Sequence, residues 1–61
     1  MTKDVIKQIQ LSLKKAGFYE GTIDGLMGPG TISGLRTYQN EKGLAEGGIT
    51  IETLKQLGIE L

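Results

Sequence analysis

Residues 17–31, Gly17-Phe18-Tyr19-Glu20-Gly21-Thr22-Ile23-Asp24-Gly25-Leu26-Met27-Gly28-Pro29-Gly30-Thr31, decide how this chain folds. The stretch holds five glycines and the only proline of the sequence, and it separates two segments with helical spacing. Gly17 stands where a helix ends and a left-handed residue is wanted. Asp24-Gly25 reads as a tight turn, and Gly28-Pro29 sets proline at the first position of the next helix, where its missing N–H costs nothing. Gly25 and Gly28 are expected to hold backbone conformations closed to other residues, so the loop is specified in shape.

Before the loop, Lys3 to Ala16 carries Val5, Ile6, Ile9, Leu13 and Ala16 on one stripe, with Lys7, Lys14 and Lys15 away from it. Thr2 is an N-cap, Asp4 suits the first turn, and Lys14 and Lys15 suit the negative end of the helix dipole. Leu11 falls off the stripe, as an ordinary exposed leucine or a docking contact. After the loop, a second helix is expected from Pro29 to about Lys42, with Ile32, Leu35 and Tyr38 on one face and Gly43 at its end. Gly30 and Gly34 weaken it by about 1 kcal/mol each relative to alanine, so it depends on tertiary packing, and Gly34 reads as a point of close approach. A second glycine-containing loop, residues 44–49, leads to Thr50 as an N-cap and a third helix carrying Ile51, Leu54 and Leu57. Thr22-Ile23 and Gly48-Ile49 could pair locally as short extended pieces. The chain therefore reads as an all-α, compact three-helix domain with glycine-rich loops. Its expected core is Val5, Ile6, Ile9, Leu13, Phe18, Ile23, Leu26, Ile32, Leu35, Tyr38, Leu44, Ile49, Leu54 and Leu57.

Sixty-one residues give one domain, 1–61, too small to enclose a deep catalytic cleft. Cysteine and histidine are absent, which removes disulfides, thiolate or imidazole metal ligands and the commonest general base. No cofactor and no metal are expected. Seven basic residues balance seven acidic ones, whereas a nucleic-acid partner calls for a basic face. No apolar run approaches the about 20 residues that cross a bilayer, and Met1-Thr2-Lys3-Asp4 lacks the apolar core of a signal peptide. A chain made without export, or a piece of a larger exported protein, is expected, and as a monomer.

Val5, Ile9-Gln10, Leu13, Gly17-Phe18-Tyr19, Gly21, Ile23-Asp24-Gly25, Gly28-Pro29, Thr31, Leu35, Tyr38-Gln39, Gly43-Leu44 and Glu52-Thr53-Leu54 together resemble the type 1 peptidoglycan-binding domain family. The resemblance covers nearly the whole chain. It implies a three-helix fold beside a catalytic domain of a bacterial or phage cell-wall hydrolase, a cell-wall or extracellular location, and non-catalytic binding of peptidoglycan that targets the hydrolase. The chain departs from the family pattern at Met27, where an aromatic is usual, at Gly34, where alanine is usual, and at Glu46-Gly47, where Asp-Gly is expected.

A peptidoglycan ligand presents amphipathic sugar faces, amides and free carboxylates, so a binder needs an apolar or aromatic platform, hydrogen-bonding groups and a cation. Tyr19, Asp24, Met27, Arg36 and Gln39 supply these types and form the expected ligand site, with Phe18 turned inward and Tyr19 nearer the surface. Each has a plainer reading beside it. Asp24 can serve its own turn, Arg36 can be a solvated charge, and Gln39, inside the apolar arc of its helix, can bond loop backbone. No catalytic residue is expected, although Glu20, Asp24 and Glu46 all lie in loops that could converge as a glycosidase needs. The competing reading is a module that packs against a catalytic domain or partner protein without touching the wall, through Leu11, Ile59 and Leu61.

Overall fold

A computed structural model describes residues 2–59. Three helices follow in order: α1, Lys3–Lys15; α2, Pro29–Lys42; and α3, Ile51–Gln56. Among the described residues no strand forms at Thr22-Ile23 or Gly48-Ile49.

The helix starts follow the side chains available to cap them. Thr2 accepts from the Val5 N–H and Thr50 from the Thr53 N–H, while α2 opens at Gly28 without a side-chain cap and with Pro29 as its first residue. The ends are built alike. At each, a glycine takes the left-handed conformation, Gly17 at φ +87°, Gly43 at +68° and Gly58 at +80°. The next residue then donates its N–H five positions back: Phe18 to Leu13 at 2.8 Å, Leu44 to Gln39 at 2.8 Å and Ile59 to Leu54 at 2.9 Å. This double-bonded ending satisfies helix carbonyls and turns an apolar residue back onto the helix it follows. Phe18 and Leu44 come to rest half-buried against the core and Ile59 becomes part of it.

The core is Ile9, Leu13, Tyr19, Leu35, Tyr38, Leu54 and Ile59, with Val5, Phe18, Leu44, Ile49 and Leu57 packed against it. Phe18 meets Tyr38 edge to face at 5.4 Å between ring centroids, the geometry that ring quadrupoles favour. Burial removes water from the Tyr38 hydroxyl and pushes its pKa above the usual phenol value.

Four expected core positions lie outside the core: Ile6 and Ile23 are half-buried and not part of its packing, and Leu26 and Ile32 are exposed. Leu26 is 62% exposed and Ile32 41% exposed. Leu26 gives both of its backbone polar groups to the loop network described below, which holds its side chain outward. On α2 the buried positions are Thr31, Gly34, Leu35, Tyr38 and Gln39, a regular helical face that places Ile32 at its margin. Ala16 and Ile51, expected on the stripes of the first and third helices though not in the core, are also exposed, and α3 faces inward through Thr53 and Leu54. Tyr19, expected near the surface, is 8% exposed and more buried than Phe18. Its ring lies over Gly21, where an added Cβ would meet the phenol at 2.6 Å, and its hydroxyl donates to the Thr22 carbonyl.

Gly34 is the expected close approach: a Cβ there would strike the Phe18 carbonyl oxygen, so helix α2 lies against the backbone that leaves α1. Gly25, at φ +77° and buried, would bring a Cβ onto the Lys3 side chain. Gly28 differs from what its sequence context suggests. It is extended, at φ −89° and ψ 179°, with open space where a side chain would go, so any residue fits its backbone there.

Candidate functional site

The first loop is organised around Gln10, a fully buried residue on α1. Its Nε2 lies 3.0 Å from Asp24 Oδ1, 2.9 Å from the Leu26 carbonyl and 3.0 Å from Thr31 Oγ1, while its Oε1 accepts from the Gly25 N–H at 2.9 Å. Because Oε1 faces an N–H and Nε2 faces a carboxylate and a carbonyl, only one orientation of the amide satisfies the site. Asp24 Oδ1 also accepts from the Leu26 N–H at 2.9 Å, closing the turn. That backbone bond first, and the Gln10 amide second, stabilise the carboxylate and lower the Asp24 pKa below 3.8. Asp24 thus spends at least one oxygen on its own loop.

The second loop repeats the plan with fewer bonds. Gln39, fully buried on α2, donates from Nε2 to the Gly48 carbonyl at 2.8 Å and to Thr53 Oγ1 at 3.1 Å. The Thr53 hydroxyl lies 2.8 Å from that of Thr50, which tells the N-cap of α3 and the Gln39 contact to share one network. Gln39 Oε1 is buried and accepts from nothing. The loop-backbone reading of Gln39 is therefore correct for one end of its amide only.

Two hollows flank α2. One, of about 600 Å³, is floored by Gly30, Gly34 and Thr37 on the helix and walled by Tyr19, Asp24 and Leu26 from the first loop. The other, of about 350 Å³, lies on the opposite flank, between Ile32, Leu35, Arg36 and Gln39 of α2, Met27, and the second-loop residues Gly47, Gly48 and Ile49. The five residues expected to form one site are thereby divided. Tyr19 and Asp24 line the first hollow; Met27, Arg36 and Gln39 line the second. Glu20 shares the first hollow with Asp24, and Glu46 is exposed on the other loop.

Gln10 is the site residue that reading the sequence for chemistry passed over. The signal was present, since Gln10 stands one turn after Ile6 and one turn before Leu13, inside the apolar stripe where an amide must find partners. Among the docking contacts, Leu11 is exposed, Ile59 is buried in the core and unavailable to a partner, and Leu61 lies outside the described residues. No described helix is long and apolar enough to cross a membrane. The described residues contain no cluster of acidic, histidine or cysteine side chains suited to a metal.

Residues 2–57 match the family profile described as "Putative peptidoglycan binding domain". Among curated proteins, the chain is 43% identical over 53 residues to a spore cortex-lytic enzyme of Oceanobacillus iheyensis, covering 87% of this chain and 19% of that one. It is 42% identical over 55 residues to a spore cortex-lytic enzyme of Bacillus cereus, covering 90% of this chain and 21% of the relative. A third relative is the N-acetylmuramoyl-L-alanine amidase CwlM of Mycobacterium tuberculosis, 44% identical over 55 residues, with 88% and 14% covered. The chain thus spans about a fifth or less of each of these proteins. No solved structure matches it significantly.

Proposed function

The chain belongs to the peptidoglycan-binding domain family, and on that premise we propose that it holds bacterial peptidoglycan without cleaving it and so targets an attached or partner cell-wall hydrolase to its substrate. The observation that carries the reading is the family match over nearly all of the described chain. The relatives named as lytic enzymes share with it only a small part of their length, which suits a module separable from catalysis.

The proposed contact surface is the pair of hollows flanking α2, with Tyr19, Asp24, Met27, Arg36 and Gln39 as its ligand-facing set. The first loop, tied by the Gln10 network, favours such a role, because a surface already held in place loses little entropy on binding. A hydrolytic role built on Asp24 is disfavoured by the hydrogen bonds to its carboxylate. A glycosidase acid needs a raised pKa, and hydrogen bonding moves that of Asp24 the other way. The reading places the domain at the cell wall, as part of a larger assembly.

Co-sedimentation with purified sacculi tests it. The chain is expected in the pellet, with no release of soluble fragments. Arg36→Ala is expected to weaken retention while leaving the helical circular dichroism unchanged, since Arg36 is exposed. Tyr19→Ala is a poorer probe than the sequence suggested, because Tyr19 is a core residue. A chain that stays in the supernatant at high sacculus loading, yet binds a neighbouring catalytic domain, is a docking module.

A further inference from the structure

The hollow beside the second loop differs from its counterpart in chemistry. It has aliphatic walls from Ile32, Leu35, Ile49 and Met27, an exposed guanidinium from Arg36, and no aromatic side chain. Behind it stands the one buried side-chain polar atom among the described residues that lacks a hydrogen bond, Gln39 Oε1. The opposite face of the amide is held by Gly48 O and Thr53 Oγ1, so Oε1 cannot be turned to find a partner without breaking those bonds. An orphaned buried acceptor is costly, and the corresponding atom of Gln10 has its partner in the Gly25 N–H.

Resting on the wall-binding reading above, we propose that this hollow takes the peptide part of the wall and not its glycan: a short aliphatic acyl-peptide ending in a free carboxylate. A peptide N–H donates to Gln39 Oε1, small aliphatic side chains fill the space between Ile32 and Ile49, and the carboxylate pairs with Arg36. The volume of about 350 Å³ suits a ligand of two or three small residues. A sugar ring would want an aromatic face to stack on, which this hollow does not offer. Since Oε1 is covered in the free domain, binding requires the second loop to shift at Gly47 and Gly48, which gives up the bond from Nε2 to the Gly48 carbonyl and leaves Thr53 Oγ1 to hold the amide. Both glycines are exposed and stand at φ +110° and +143°, with open space where a Cβ would go.

N-acetyl-D-alanyl-D-alanine and chitotetraose, titrated separately into the isotope-labelled chain, decide between the two chemistries. The dipeptide is expected to shift the Gln39 side-chain amide and Cδ resonances together with the backbone amides of Gly47, Gly48 and Ile49. Arg36→Gln, or replacement of the dipeptide's carboxylate by an amide, should each weaken binding by ~tenfold, as loss of a charge-assisted contact does. Arg36 is exposed, so the variant reports on binding and not on folding. Chitotetraose shifting these resonances, or the dipeptide leaving them still, overturns the peptide assignment, as does dipeptide binding that is indifferent to Arg36→Gln. Sacculus retention measured on the same sample reports separately on wall binding: retained protein whose Gln39 is silent to the dipeptide keeps the wall-binding reading and discards this inference.

Discussion

Gln10 and Gln39 occupy corresponding places: each sits buried on the helix before a glycine-rich loop and reaches the threonine at the third residue of the helix after it, Thr31 and Thr53. Gln10 bonds four groups, among them a carboxylate and a backbone N–H; Gln39 bonds two and leaves its oxygen without a donor. The difference traces to the loops. The first supplies Asp24, whose side chain ties the turn to Leu26 and to Gln10, and a Gly25 whose N–H points at the amide oxygen. The second has Glu46-Gly47 in the corresponding place, and Glu46 is exposed. A longer acidic side chain is less suited to closing back on its own turn than aspartate. One buried amide thus anchors a closed loop, while the same residue type anchors a looser one.

The contrast is broken most forcefully at Gln10. Gln10→Leu leaves the Gly25 N–H and the Thr31 hydroxyl without their partner and takes one bond each from Asp24 and the Leu26 carbonyl, and is expected to cost about 3 kcal/mol or more. In a domain of this size that removes most of the folding free energy. Urea denaturation, or failure to recover helical circular dichroism, reads it; a loss under about 1 kcal/mol would show the network to be ornamental.

Gly25 comes next. Gly25→Val forces a branched side chain into the left-handed region and against Lys3, and should cost about 2 kcal/mol. Its neighbour is the control, because Gly28 is extended and open. Gly28→Ser should change stability by no more than about 0.5 kcal/mol, in the stabilising direction if the hydroxyl caps α2. Thermal melts of the two variants side by side separate strain from mere flexibility.

Gln39→Leu sharpens the comparison from the weaker side. It strands the Gly48 carbonyl, leaves Thr53 with Thr50 alone and also deletes the unpaired Oε1, so a loss of about 1 kcal/mol is expected, well below that of Gln10→Leu. Equal losses at the two sites would mean that Oε1 has a partner in solution.

The smallest effect is the pH dependence of the first loop. Asp24 has its pKa lowered in the folded state by the Leu26 N–H and the Gln10 amide. Its stabilising contribution is complete above the unfolded value near 3.8 and is lost as pH falls through the lower folded value. Asp24→Asn should therefore flatten the decline in urea midpoint between about pH 5 and pH 2.5. No comparable titration is expected at the second loop, whose Gln39 network contains no carboxylate.

Much of this was legible in the chain of residues alone, because it depends on local chemistry. Thr2 and Thr50 as caps, Gly17 and Gly43 at helix ends, Pro29 as a first helical residue and the bounds of α2 follow from dihedral preference and unpaired backbone groups, which are set by near neighbours. The three-helix fold followed from the same punctuation together with helical spacing, and the family from the resemblance that the motif residues carry. Periodicity placed the stripes only to within one position: Thr31 and Thr53 face inward where Ile32 and Ile51 were expected, because their hydroxyls satisfy buried amides that reach them from another helix. Such a preference exists only once the helices meet. The same holds for Tyr19, drawn into the core over Gly21, for the outward turn of Leu26, and for the division of Tyr19, Asp24, Met27, Arg36 and Gln39 between two flanks of α2. Residue types and spacing determined which local structures this protein forms; which side of a helix is buried, and which amide is left without a partner, was decided by packing between segments distant in sequence, since burial and hydrogen-bond satisfaction are properties of the assembled neighbours.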